Sequence, residues 1–151
     1  MVLSYNILTM IPRWLPYALV CSFFLASADF FVKLASNKIS ATMGMFIYAA
    51  PTLAFGLGSV GYMKFTGQPL LATQRGLLYS FAVGVAFSIV TMLLYITFVH
   101  VSVSLGSPTI RIMGIVFASF LGILFLHEPF TWRYALGVVL TITGVTLVVL
   151  R

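Results

Sequence analysis

Five apolar stretches, each close to the length of a bilayer crossing, follow one another along this chain: Leu15 to Ser36, Ala41 to Met63, Leu77 to Val99, Ser107 to Leu126 and Tyr134 to Leu150. A hydrocarbon core of about 30 Å takes about 20 apolar residues of helix, so each stretch predicts a transmembrane helix. The connections "NKIS", "KFTGQPLLATQRG", "HVSVSLG" and "HEPFTWR" leave no room for a soluble domain. Composition agrees, since 62% hydrophobic and 7% charged residues, with a mean hydropathy of +1.15, lie far outside the soluble range. The expected fold is all-α: a polytopic membrane protein with one bundle of five transmembrane helices over residues 13–151. Residues 1–12, "MVLSYNILTMIP", are apolar, too short to span and closed by a proline, so they are expected to lie along the interface.

The net charge of +6 does not indicate nucleic acid, because the eight basic residues are spread singly over helix ends with no run or stripe. They look like membrane anchors. The single Cys21 excludes an internal disulfide. Arg13 followed by "LPYALVCSFFL" and "ASA" has the outline of a cleavable signal peptide. Apolar character resumes with "FFVKLA", however, and the segment is read as a full span.

An odd number of spans puts the two ends of the bundle on opposite sides, termed A for the N-terminal end and B for the C-terminal end. Side A collects Arg13, Lys64, Arg75 and Arg133, and side B collects Lys33, Lys38 and Arg151. This bias places the N-terminus in the cytoplasm. It is small enough to leave insertion in both orientations open.

Between helices in lipid, small and polar residues mark the covered faces. Ser107, Arg111, Gly114, Ala118 and Gly122 share one face of the fourth helix, and Ser80, Gly84, Ser88, Thr91 and Tyr95 one face of the third. Ser22, Ala26, Asp29, Lys33 and Ser36 form a stripe on the first helix, and Gly137, Thr141 and Gly144 one on the fifth. Helix packing alone explains such stripes, but two of them contain charges.

Asp29 lies on the order of 10 Å inside the side-B end of its helix, at 1.5 Å per residue, and Arg111 enters from the same side. A charge near mid-membrane costs roughly 2.5 to 3.5 kcal/mol on insertion scales, so it should face protein or water and have a partner. Two readings stand. In the first, Asp29 pairs with Lys33 one turn away while Arg111 snorkels to the surface. In the second, Asp29, Lys33, Arg111, Tyr48, Tyr95 and His100 line a polar cavity open to side B, with one acid against two bases giving a formal charge of +1. "SLGSPTIR" supports the second, with Ser107 as N-cap and Pro108 as first helical residue aiming backbone donors and the positive helix end at the same region. An anionic or zwitterionic small molecule suits such a place. Pro51, Gly56, Gly58 and Gly61 allow the second helix to bend there.

No acid and base pair stands near a nucleophile, and His100 and His127 fall at opposite faces of the membrane, so neither catalysis, a metal nor a cofactor is expected.

The stretch "SPTIRIMGIVFASFLGILFLHEPFTWRYALGVVLTITGVTLVVL" resembles the last two helices of the drug/metabolite transporter superfamily, its EamA-like branch above all and the small multidrug resistance proteins more distantly. It shares their small-residue helix, the "LxE" turn ending in Glu128, and Gly137, Leu140, Gly144 and Val145 in the pattern "GxxLxxxGV". "SADFFVKLA" resembles the branch's first helix, with Asp29 where a polar residue is usual. The resemblance implies a prokaryotic cytoplasmic-membrane transporter or lipid-linked flippase, in which five helices make one of two inverted repeats. A single repeat then needs a partner, either a second copy inserted the opposite way or a related five-helix protein. "GVVLTITGV" is similar to the segment through which small multidrug resistance proteins dimerise, so Gly137, Thr141 and Gly144, with Gly114, Ala118 and Gly122, are the expected contact residues. The glutamate that those small proteins carry in their first helix is Leu25 here, so their exchange site does not transfer. Glu128 is expected to cap the turn or pair with Arg133. The expected function is alternating access by a dimer carrying a small metabolite, with Asp29 as proton or cation carrier. A non-transporting subunit of a larger membrane assembly and a lipid-linked sugar flippase remain as alternatives.

Overall fold

The structure, a computed structural model, describes residue 12 and residues 14–150. Five helices follow in order: α1 Leu15–Ser36, α2 Ala41–Phe65, α3 Gln74–His100, α4 Val103–Leu126 and α5 Trp132–Val149. All five are long and apolar enough to span a membrane, and no strand occurs among the described residues. This is an integral membrane protein. The expectation of an interfacial segment over residues 1–12 falls almost wholly outside the described residues.

Local chemistry starts and stops the helices. Pro16 sits in the first turn of α1, where its missing N–H costs nothing. Ser40, Thr73 and Thr131 each turn a hydroxyl back to accept a backbone N–H three residues on, from Met43, Gly76 and Tyr134. Gly67, at φ 69°, turns the chain after α2. His127 ends α4 in the left-handed region at φ 53°, a conformation that His tolerates better than most side chains. Despite Pro51, α2 runs as one helix from Ala41 to Phe65.

The largest departure from expectation is at the start of α4. The loop expected over "HVSVSLG" shrinks to Val101 and Ser102, and α4 begins four residues before Ser107. Its N-cap is Ser102, without a side-chain capping bond. Ser107 is therefore not a cap, and Pro108 lies inside the helix. Gly106 makes the early start possible, because a Cβ there would lie 2.9 Å from the ring of Phe98, and Phe98 is fully buried. Only glycine lets the first turn of α4 close on the last turn of α3.

Among the described residues α1 touches α2, α3 and α4, α3 touches α2 and α4, and α5 touches α4 alone. The tight contacts gather toward side B. There Tyr95 of α3 lies over Gly44 of α2, with ring atoms 2.5 to 2.8 Å from where a Cβ would stand. By contrast, every residue of α2 from Phe46 to Tyr62 and of α3 from Gln74 to Val90 is exposed. Among the described residues, none buries the side-A halves of these helices.

Candidate functional site

Helical spacing on two elements assembles the charged site. Asp29 and Lys33 stand one turn apart on α1, and Ser107 and Arg111 one turn apart on α4. Arg111 Nη2 donates to both Oδ1 and Oδ2 of Asp29 at 3.0 Å. Ser107 Oγ donates to Asp29 Oδ2 at 2.5 Å. Asp29 is 1% exposed, and its pair with Arg111 is the one ion pair among the described residues. An ionised carboxylate this deep is tolerated only because a guanidinium and a hydroxyl replace its water.

The pairing of Asp29 with Lys33, which their spacing permits, is not formed. Lys33 Nζ donates instead to the backbone oxygens of Phe98 and Val101, the latter at 3.0 Å. Those two carbonyls sit where α3 gives way to the Val101–Ser102 elbow, and neither receives a backbone donor among the described residues. A cation at the negative end of α3 satisfies both. Phe98 carries no sequence signal of this role, being one of 14 phenylalanines. The glycines that receive Tyr95 and Phe98, Gly44 and Gly106, are equally silent in the sequence.

Between α1, α2 and α3 lies a cavity of about 380 Å³ whose wall includes Asp29, Tyr48, Tyr95 and Arg111, together with Thr91 and Phe87. Four of the six residues expected to line a pathway therefore meet at one cavity. Lys33 and His100 do not line it: Lys33 is engaged at the elbow, and His100 is the exposed last residue of α3. The residues packed most tightly around the cavity lie toward side B, whereas its α2 and α3 walls lead into the exposed side-A halves.

A larger, shallower concavity of about 700 Å³ lies between α4 and α5, walled by Ala118, Ser119, Gly122, Glu128 and Tyr134. The hydroxyls of Ser119 and Tyr134 hydrogen-bond there. Glu128 does not pair with Arg133. The left-handed His127 turns the chain back, Glu128 N donates to the Gly122 carbonyl at 3.3 Å, and the carboxylate lies over Gly122, 2.7 Å from where a Cβ would be. Of the residues expected to make packing contacts, Gly122 is the one buried within the chain. Thr141 is half-buried, while Gly114, Ala118, Gly137 and Gly144 are exposed, and a Cβ on any of the three glycines would meet nothing within 4 Å.

No curated protein and no solved structure matches the chain. The family model described as the EamA-like transporter family matches residues 12–150, which takes in all five helices and both halves of the Asp29–Arg111 pair. The match agrees with the motifs in α1, α4 and α5, and the chain belongs to the EamA-like transporter family.

Proposed function

We propose that this chain is a half-size secondary transporter subunit that moves a small anionic or zwitterionic metabolite by alternating access as a dimer. The partner is a second copy, inserted in the opposite sense, or a related five-helix protein. The family is one of membrane transporters. The observation that carries the finer reading is the Asp29–Arg111 pair at the wall of an intramembrane cavity. Such a pair in hydrocarbon is expensive and marks a pathway more often than a strut. Among the described residues the side-A halves of α2 and α3 are exposed and α5 touches α4 alone, which supports a partner. Gly137, Thr141 and Gly144 on α5 are the proposed contact, because small residues let helix backbones approach closely in lipid.

In this reading Arg111 meets the substrate and Asp29 holds Arg111 in place between cycles. A coupling role for Asp29 then requires Arg111 to turn from the carboxylate to the substrate. The membrane is the prokaryotic cytoplasmic one, with the N-terminus inside.

The test is uptake of radiolabelled small organic anions and amino acids into vesicles that carry the purified chain, alone and with Asp29→Asn. Saturable uptake that the substitution abolishes is expected. Unchanged uptake in Asp29→Asn removes Asp29 from the mechanism. No uptake of any compound, with the chain recovered at fixed ratio among unrelated membrane proteins, replaces transport with the accessory-subunit reading.

A further inference from the structure

We infer that the cavity selects a monoanion with an apolar body, a monocarboxylate in chemical class, over the zwitterion that the sequence leaves equally open. The inference rests on the proposed role of this cavity as the substrate site.

Charge is the first argument. At the cavity wall Asp29 and Arg111 cancel, and Lys33, one turn further along α1 and outside the wall, leaves the intramembrane cluster with a formal sum of +1. A monoanion brings this intramembrane cluster to neutrality. A zwitterion leaves the +1, and a dianion leaves an excess negative charge. In a low-dielectric surrounding the neutral sum is favoured.

The available hydrogen-bonding groups point the same way. Guanidinium has five N–H donors. Arg111 uses Nη2 on Asp29, while its Nε and Nη1 have no partner among the described residues. The Arg111 side chain is 40% exposed, against 2% for that of Asp29. Both two-pronged edges of the group run through Nη2, which Asp29 holds, so Nη1 is left to donate to one oxygen of an incoming carboxylate. Tyr48 and Tyr95 line the same cavity, and a tyrosine hydroxyl turned toward a ligand there is a further donor.

An ammonium group finds no equivalent. Asp29 and Glu128 are the two acids of the chain. Asp29 is buried and already accepts from Arg111 and Ser107, and Glu128 lies at the far end of α4. The remaining wall is apolar, with Leu25, Ile47, Phe87 and Leu94. The volume of about 380 Å³ holds about a dozen water-sized volumes at roughly 30 Å³ each, which suits one ring or a short chain behind the carboxylate.

The experiment is calorimetric titration of the purified full chain in nanodiscs, with empty nanodiscs as the blank. The probes are 4-phenylbutyrate, L-phenylalanine, 4-phenylbutylamine and phenyl phosphate, which share a ring and differ in charge. Phenylbutyrate is expected to bind at least roughly tenfold more tightly than the other three, equivalent to about 1.4 kcal/mol. Tyr48→Phe is expected to weaken phenylbutyrate severalfold without moving the melting temperature of the unliganded protein. The double variant Asp29→Asn, Arg111→Gln, which leaves no buried charge unpaired, is expected to abolish binding. Equal or tighter binding of phenylalanine or the amine overturns the assignment, as does binding of none of the probes. Phenylbutyrate binding without flux into vesicles keeps the ligand class and removes transport. Flux of phenylalanine without phenylbutyrate binding does the reverse.

Discussion

Lys33→Met removes an ammonium while keeping an apolar stem of similar reach, and it isolates what the clamp on the α3–α4 elbow contributes. In the native chain Lys33 Nζ bonds the carbonyls of Phe98 and Val101. A hydrogen bond to a charged group is worth about 1.5 to 3 kcal/mol net, and a cation at a helix C-terminus adds about 0.3 to 1 kcal/mol. Lys33 is half-buried and near the side-B end of α1, so water recovers part of both bonds in the variant. The net loss is about 2 kcal/mol, near the worth of one such bond. For a chain of this size each kcal/mol moves the melting temperature by about 2 to 4 °C, giving an expected fall of about 4 to 8 °C in mild detergent. Lys33→Arg, which keeps charge and donors, should recover at least half of that. The elbow also sets where Ser107 and Arg111 stand, so Lys33→Met should weaken ligand binding at Arg111 and Lys33→Arg should restore it. A Lys33→Met protein that melts within about 1 °C of the native one would refute the reasoning, since an unsupported helix end would then have cost nothing.

Arg111→Gln leaves the Asp29 carboxylate buried and unpaired, which should cost about 3 to 5 kcal/mol in a denaturant titration. Adding Asp29→Asn should recover most of this, and a double variant no more stable than the single one would show that the two residues do not act as a pair. Gly44→Ala places a methyl 2.5 to 2.8 Å from the Tyr95 ring and should cost about 1 to 3 kcal/mol by overpacking. Gly58→Ala, with open space around it, should be neutral or slightly stabilising in the same thermal melt. Gly144→Leu should leave the melt of the isolated chain unchanged and abolish association measured by light scattering. Association that survives it places the partner on another face.

Residue type and spacing made much of this molecule legible beforehand. The first span, Leu15 to Ser36, matches α1 end for end, because an apolar run bounded by prolines on one side and "NKIS" on the other has one way to sit in a bilayer. The need of Asp29 for a partner was equally legible, since solvation energy depends on depth and depth on position along a helix. The identity of that partner was not. Lys33 is nearer in sequence, but the α3 carbonyls take its ammonium and Arg111 arrives from another helix. The start of α4 departs from its local sequence signal for a related reason. "SP" is a good helix opening by local preference, yet the contact between Phe98 and Gly106 draws four more residues into the helix. Tertiary packing outweighs a local signal of this size.

The sequence by itself determined how many helices are long and apolar enough to cross a membrane and at what height along them the charges lie, because those follow from transfer free energy and a rise of about 1.5 Å per residue. Only the tertiary structure decided that Asp29 belongs to Arg111, that Lys33 closes the end of α3 and that Tyr48 and Tyr95 share a cavity with the ion pair. Those outcomes depend on the relative rotation and height of neighbouring helices, which a few close contacts at Gly44 and Gly106 set and which spacing along one helix does not encode.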